Sequence, residues 1–342
     1  MPKGIFANMI PQNVAPKDAV RIGVYDRSGN KLGKFALQHL AFPDLGKKRY
    51  SFGVLSDVHL QQATGTVDFQ RALTYLNNTE DVEFTCICGD LSQNGKGTEL
   101  AEYKTYVDTY SPDTPVYAIT GNHETYSGLD LENVISTYTG NPLYYSFARG
   151  NDVFIMVGVI GEVTLFSSGE LQWLYETLEA NRNKRCFVFM HVFPGAETEA
   201  TCGNAYGLYH NYCWSHATQT VVFESLMAHY KNVVFFHGHS HIEFEMQSAE
   251  CKYANYDESD GYRSVHIPSI TAIRQDVNND GVAEYNTAGS QGYIVDVYDN
   301  AIVLRGRNFV GEKLVPVAIY CIDTSLVNVS ANGYTDSTGT IK

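Results

Sequence analysis

No stretch of this 342-residue chain approaches the roughly 20 apolar residues that cross a bilayer. Met1 to Pro16 likewise lacks the apolar core of an export signal. These two absences lead to the expectation of a protein with no membrane partner, cytoplasmic by default. Basic blocks are missing too. The net charge is −14, and such an acidic field favours solubility while opposing nucleic acid and anionic surfaces. The seven cysteines are an odd number, so at least one lacks an internal partner, and none stands at zinc-type spacing. Cys86 and Cys88 sit two apart in an expected strand, on the same side and badly placed to pair. Cys202 and Cys213 flank a loop, where either a disulfide or two free thiols would fit. Internal repeats are absent, as is any serine or cysteine nucleophile motif.

The hydrophobic fraction, 44%, and the length suit one large domain with a small appendage. Val20–Tyr25 and Lys31–Leu37 alternate around the turn-forming Asp26-Arg27-Ser28-Gly29-Asn30, which predicts a β-hairpin appendage over 1–47. From Arg49 the texture becomes strand, loop and helix in repetition. Strands are expected at Ser51–Leu55, Glu83–Cys88, Val116–Ile119, Cys186–Met190 and Val233–Phe236, with Tyr144–Phe147 and Val153–Val159 as a pair. Helical spacing falls at Val67–Leu76, Thr98–Tyr110, Gly169–Ala180 and Thr220–Tyr230. After Cys251 the pattern returns to strands, at Ser264–Ile267, Gln291–Val297, Ala301–Arg305 and Leu314–Ile322. The main domain is therefore expected over 48–323, followed by a loose polar tail over 324–342.

Polar groups collect where the buried strands end. Asp57 and His59, Asp90, Asn122 and His123, His191, and His239 and His241 each follow an apolar run. Open α/β sheets place their sites at such carboxyl ends. Setting His123 aside, four imidazoles, two carboxylates and one amide remain, enough for two divalent transition metals. On an extended segment, residues two apart project to one side, so Asp57/His59 and His239/His241 would each form a bite. A single carboxylate can bridge ions about 3.5–4 Å apart, the separation used in two-metal hydrolysis.

This ordered set resembles the calcineurin-like metallophosphoesterase superfamily, over about residues 50–245 and with its five motif blocks in order. The resemblance implies an α/β fold: a two-sheet β-sandwich flanked by helices in four αββα layers, with the site on loops at one edge. It also implies a ligand set. Asp57, His59 and His241 would hold the first metal, Asn122, His191 and His239 the second, and Asp90 would bridge. The cofactors would be two divalent transition metal ions drawn from Mn, Fe, Zn or Co. Gly89 to Gly95 and the following helix look like the bacterial cyclic-nucleotide phosphodiesterase branch. Tyr144-Tyr145-Ser146-Phe147 and Leu171-Gln172-Trp173-Leu174 recur there and in purple acid phosphatases. Those phosphatases need a tyrosine where Gln93 stands and a glycine where His59 stands, so their iron–tyrosinate site is excluded. Ser/Thr protein phosphatases carry a carboxylate at the Gln93 position to orient the catalytic histidine, which leaves His123 to find another partner, either Glu124 or a backbone carbonyl.

The implied function is phosphoester hydrolysis, as a phosphodiesterase or broad phosphatase acting on a small phosphoester substrate. A metal-bridged hydroxide would attack phosphorus in line, and His123 would protonate the departing oxygen. Two rival readings stand beside it: a non-catalytic metal-binding or structural module of a larger assembly, and a nuclease of the same superfamily. Weaker signals surround the main one. The aromatic segment from Phe193 to Thr220, which includes Tyr206, Tyr209, Tyr212 and Trp214, reads either as a lid over the substrate or as a self-packed surface loop. Asp276-Val277-Asn278-Asn279-Asp280-Gly281 begins like a calcium loop, but Thr287 replaces the final glutamate, so a turn is expected.

Overall fold

The computed structural model describes residues 21–25, 31–36, 45–62, 64–161, 166–192, 217–246, 255–258, 261–275, 284–286 and 289–324. The aromatic segment up to residue 216, Cys202 and Cys213, the turn at 276–281 and the tail beyond 324 lie outside those residues. Runs of β-branched and aromatic residues form the strands, and leucine-bearing amphipathic stretches form the helices. The first half of the chain contributes β1 (Arg21–Tyr25), β2 (Lys31–Ala36), β3 (Lys48–Leu55), α1 (Gly65–Asn78), β4 (Thr85–Cys88), α2 (Gly97–Tyr110), β5 (Val116–Ile119) and α3 (Leu131–Thr139). Next come β6 (Tyr144–Arg149), β7 (Asp152–Val157), α4 (Ser168–Ala180), β8 (Arg185–Met190), α5 (Ala217–His229) and β9 (Val233–His237). The remainder is β10 (Tyr256–Asp257), β11 (Arg263–His266), β12 (Ile273–Gln275), β13 (Glu284–Asn286), β14 (Gln291–Tyr298), β15 (Ala301–Asn308) and β16 (Lys313–Asp323).

Two six-stranded sheets result, in the orders β16-β15-β14-β3-β4-β5 and β10-β11-β9-β8-β7-β6. Within the first, β3, β4 and β5 are parallel. Within the second, β7, β8, β9 and β11 are parallel, with β6 and β10 antiparallel at the edges. Parallel strands buried on both faces explain the continuous apolar runs. In β8 the alternation sends Phe187 and Phe189 between the sheets and Cys186, Val188 and Met190 toward the helices. The layer between the sheets is aromatic: Phe52 meets Phe154 edge-on at 5.1 Å and Phe187 at 5.4 Å. Helices α1, α2 and α3 cover one outer face through Phe69, Leu73, Leu100, Tyr103 and Ile135. The other face is covered by α4 and α5 through Leu174, Leu178, Phe223 and Met227. The expected αββα layering is therefore observed. Cys86 and Cys88 point the same way, into the layer between the sheets, as free thiols.

Helix α3 was not anticipated from the sequence. It buries only Ile135, so the apolar period is weak, and its limits are local: the Asp130 side chain accepts from Asn133 N, and Gly140 closes it at φ 74°. The short strands β10, β12 and β13 were also missed, being only two or three residues long. The expected hairpin does pair, β1 against β2, with a bulge between Val24 and Tyr25. Residues 45–47 are tied to the turn after β14, since Asp299 N donates to Lys47 O at 3.1 Å and Asn300 N to Leu45 O at 3.1 Å. No helix among the described residues is long and apolar enough to cross a membrane.

At the amino ends of the central strands lies a closed ionic cluster. Arg185, first in β8, grips both oxygens of Asp152, first in β7, at 2.8 and 2.9 Å. Tyr50 OH donates to the same carboxylate at 2.7 Å, and Arg185 also donates to Thr324 Oγ1 at 2.9 Å. The opposite ends of the strands are built quite differently.

Candidate metal centre

The seven expected ligands all follow the carboxyl ends of strands from both sheets: Asp57 and His59 after β3, Asp90 after β4, Asn122 after β5, His191 after β8, and His239 and His241 after β9. Two groups of convergent donor atoms form there. One is Asp57, His59, Asp90 and His241, the other Asp90, His191 and His239, with the donor atoms of each group within 4.8 Å of one another and every residue buried. Asp90 belongs to both. Asn122, 3% exposed, has its Oδ1 buried without a hydrogen-bond partner, while its Nδ2 donates to Tyr126 OH at 2.8 Å.

The backbone reaches this arrangement in a way the sequence reading did not foresee. The paired residues are not extended. Asp57, His59, Asp90, His239 and His241 have φ of 55°, 45°, 52°, 72° and 62°. Left-handed backbone costs a non-glycine residue about 1–2 kcal/mol, and strain of this kind gathers at functional sites. The bite therefore comes from tight left-handed turns between strand and loop, not from strand alternation. The glycines have steric reasons of their own. A side chain at Gly121 would collide with the Asp90 carboxylate, and one at Gly238 with Ser56 and Asp57.

Each carboxylate divides its two oxygens. Asp57 Oδ2 accepts from His239 N at 3.1 Å, while Oδ1 lies 3.1 Å from His241 Nε2 and 3.8 Å from both His59 Nε2 and His191 Nε2. Asp90 Oδ1 accepts from His123 N at 3.0 Å, while Oδ2 lies 3.0 Å from His191 Nε2 and 3.5 Å from His59 Nε2. The imidazoles are fixed from behind. Nδ1 of His59 faces Gln93 Oε1 at 3.0 Å, Nδ1 of His191 faces Cys88 O at 2.6 Å, and Nδ1 of His241 faces Ala272 O at 3.1 Å. Only an Nδ1–H satisfies these oxygen acceptors, so the Nε2 atoms turn inward, each offering a lone pair whenever its ring is neutral. Such outer hydrogen bonds orient ligands for a metal. His59 Nε2 and His241 Nε2 consequently meet at 3.0 Å, an approach that a shared cation would relieve.

The electrostatics point the same way. Burial alone would raise Asp90, but His191, His123 and His59 around it hold its carboxyl well below the usual range. Asp57 is likewise held low, its burial outweighed by His241 and His191. Burial opposes a charge on His191, yet Asp90 and Asp57 overcome it and raise the imidazole to about 9. Burial, with His191 beside it, pushes His239 down to about 3. The side chains alone thus hold two carboxylates beside a protonated His191, with Asp57 raising His241 against its burial and burial lowering His59. Imidazole, carboxylate and amide oxygen suit divalent transition metals such as Mn, Fe, Zn or Co, and the donor set fits them.

His123 stands at the rim with 19% of its side chain exposed, its Nε2 3.9 Å from Asp90 Oδ2. Its orienting partner is the backbone carbonyl of Gln93, 2.7 Å from Nδ1. Glu124 is occupied elsewhere. Its Oε1 accepts from Ser92 N and Ser92 Oγ at 2.9 Å each and its Oε2 from Gly121 N at 2.7 Å, so it clamps the Asp90 loop to the Asn122 loop. Burial and the nearby Asp90 charge raise Glu124 to about 7. His237, expected from the sequence in the sheet or just behind the ligands, and His266, left without a role by the sequence, are both buried. His237 ends β9, and His266 Nε2 lies 2.6 Å from Ser240 Oγ. Sequence reasoning noted Gln93 but not its double engagement, and missed Tyr126 altogether. A tyrosine four residues after Asn122, beyond one turn of 3₁₀ helix, was the available signal.

Residues 50–243 match the model of the calcineurin-like phosphoesterase family. That is more than half of the chain, which therefore belongs to this family. Among solved structures it is similar to GAP50, the anchor in the inner membrane complex of Plasmodium, at 12% identity and a TM-score of 0.53, covering 81% of this chain and 89% of that one. It is also similar to vacuolar protein sorting 29 from Cryptosporidium parvum, at 12% identity and a TM-score of 0.37, covering 80% and 97%. No curated protein matches the chain significantly.

Proposed function

We propose that the chain is a dinuclear metal-dependent phosphoester hydrolase, a phosphodiesterase or broad phosphatase acting on a small phosphorylated compound. The observation that carries this reading is the shared carboxylate: Asp90 belongs to both buried donor groups. Asp57, His59 and His241 would hold one ion, Asn122, His191 and His239 the other, with Asp90 between them. Bound there, two divalent ions would supply Lewis acidity toward phosphoryl oxygens and a water acidic enough to react near neutral pH. The chain's own residues do the rest. Gln93, Cys88 and Ala272 hold three imidazoles in the ligating tautomer. Glu124 keeps the Asp90 and Asn122 loops in register. His123, with Nδ1 committed to Gln93 O, presents Nε2 as the nitrogen that can carry a proton to the leaving oxygen.

The test is hydrolysis of bis-p-nitrophenyl phosphate and p-nitrophenyl phosphate by protein loaded with Mn, Zn, Co or Fe. The expected result is turnover of at least one ester that a chelator stops. Stoichiometric metal without turnover of any ester in a panel of cyclic nucleotides, nucleotides, phosphosugars and glycerophosphodiesters would leave a metal-binding module instead.

A further inference from the structure

Asn122 poses a problem that histidine and aspartate do not. Its amide has one end that ligates a cation and one that repels it, and a half-turn of the terminal torsion exchanges them. The aspartates need no such choice, and three of the histidines are fixed by an acceptor behind Nδ1. For Asn122 the corresponding contact is Nδ2 donating to Tyr126 OH at 2.8 Å, which leaves Oδ1 as the buried end of the amide without a hydrogen-bond partner. The chain brings the tyrosine there by one short turn: Thr125 N donates to Asn122 O at 3.0 Å and Tyr126 N to His123 O at 3.2 Å, folding residue 126 back over residue 122. The same ring packs against His123, with centroids 4.5 Å apart. Tyr126 is nevertheless 48% exposed, so its placement here is not explained by a need to fill the core.

We infer that Tyr126 is a positioning residue for the metal centre: its hydroxyl accepts the Asn122 amide hydrogen and so commits Oδ1 to the ion shared with His191 and His239. This rests on the dinuclear reading above. The hydroxyl acts on one of the two ions, because Asn122 accompanies His191 and His239 in that reading and Tyr126 reaches the centre through Asn122. Its ring, meanwhile, limits the space in which His123 can swing.

Tyr126→Phe keeps the ring and removes only the hydroxyl. Calorimetric titration of the chelated full chain with Mn²⁺ should show one affinity falling about 10–100-fold, the usual consequence of removing a hydrogen bond behind a ligand, and the other unchanged. In an Asn122→Ala background the same change should add nothing, since the group it positions is gone. Two strong affinities within twofold of the parent would overturn the inference and leave the dinuclear reading intact. A parallel loss at both ions, accompanied by a lower unfolding temperature of the chelated protein, would also overturn it, because that is the mark of general support. Fewer than two ions in the parent chain would defeat both the reading and the inference.

Discussion

The two ends of the central strands both bury charge, and they treat it in opposite ways. At the amino ends, Asp152 receives a bidentate arginine and a tyrosine hydroxyl, so that the carboxylate and guanidinium satisfy each other. At the carboxyl ends, Asp57 and Asp90 are encircled by imidazoles whose Nε2 atoms face them and one another. The first cluster is complete within the protein. The second sets two carboxylates among ligand-type nitrogens that added cations would share, and sits on five residues of left-handed backbone. A buried ion pair that closes on itself holds structure, whereas buried acceptors held in strained turns mark a place for a ligand.

Substitutions can break this contrast. Asp90→Ala should lower hydrolysis by about 10³-fold or more, since a ligand bridging two ions would support several kcal/mol of charge stabilisation in the transition state. Circular dichroism should show the fold retained, and the rise in unfolding temperature on adding metal should shrink. Activity near the parent level would dissolve the distinction between the two ends. Arg185→Ala should behave inversely. It strands Asp152 without its partner and should cost about 3–5 kcal/mol of stability in denaturant melts, while turnover per folded molecule holds. Loss of turnover without loss of stability would place Arg185 in the functional machinery. A smaller effect is expected from Gln93→Leu. His59 would lose its acceptor but His123 would keep the Gln93 carbonyl, so metal affinity or activity should fall about 10–100-fold with the alkaline limb of the pH–rate profile unmoved. A shifted limb would show that the side chain, and not the carbonyl, positions His123.

A separate effect is one of pH. Burial pushes Glu170, in the capping box that starts α4, up to about 8, against the bond from Ser167. Its folded value lies above its unfolded one, so the folded chain holds this proton more tightly. The resulting stability is full below about 4.5 and is lost as pH rises through about 8. Glu170→Gln should remove about one proton's slope from stability against pH in that window. An identical slope in the variant would mean the carboxyl titrates normally.

Much of this was legible beforehand because strand ends are written locally. Apolar runs that stop in Gly-Asp, Gly-Asn-His or Gly-His-Ser-His locate the loops, and a glycine at each stop is visible in the sequence itself. What stayed hidden depends on residues far apart in the chain. The left-handed turns at Asp57 and Asp90 are set by stitching between loops, with His59 N donating to Asp90 O at 2.9 Å and Asp57 N to Gly89 O at 3.2 Å. Ala272 supplies its carbonyl to His241 from a position 31 residues later, and nothing in an alanine announces that. Helix α3 escaped notice because one buried isoleucine makes no period.

The most direct test of the account is a count of metal ions and protons together. The chelated full chain, titrated at pH 7 with Mn²⁺ or Zn²⁺, should take up two ions per chain and release protons as it does so, because Asp90 and Asp57 keep His191 protonated up to about 9 and Asp57 raises His241 as well, until a cation takes their place. Uptake of one ion or none would contradict the claim that Asp90 joins two metal sites.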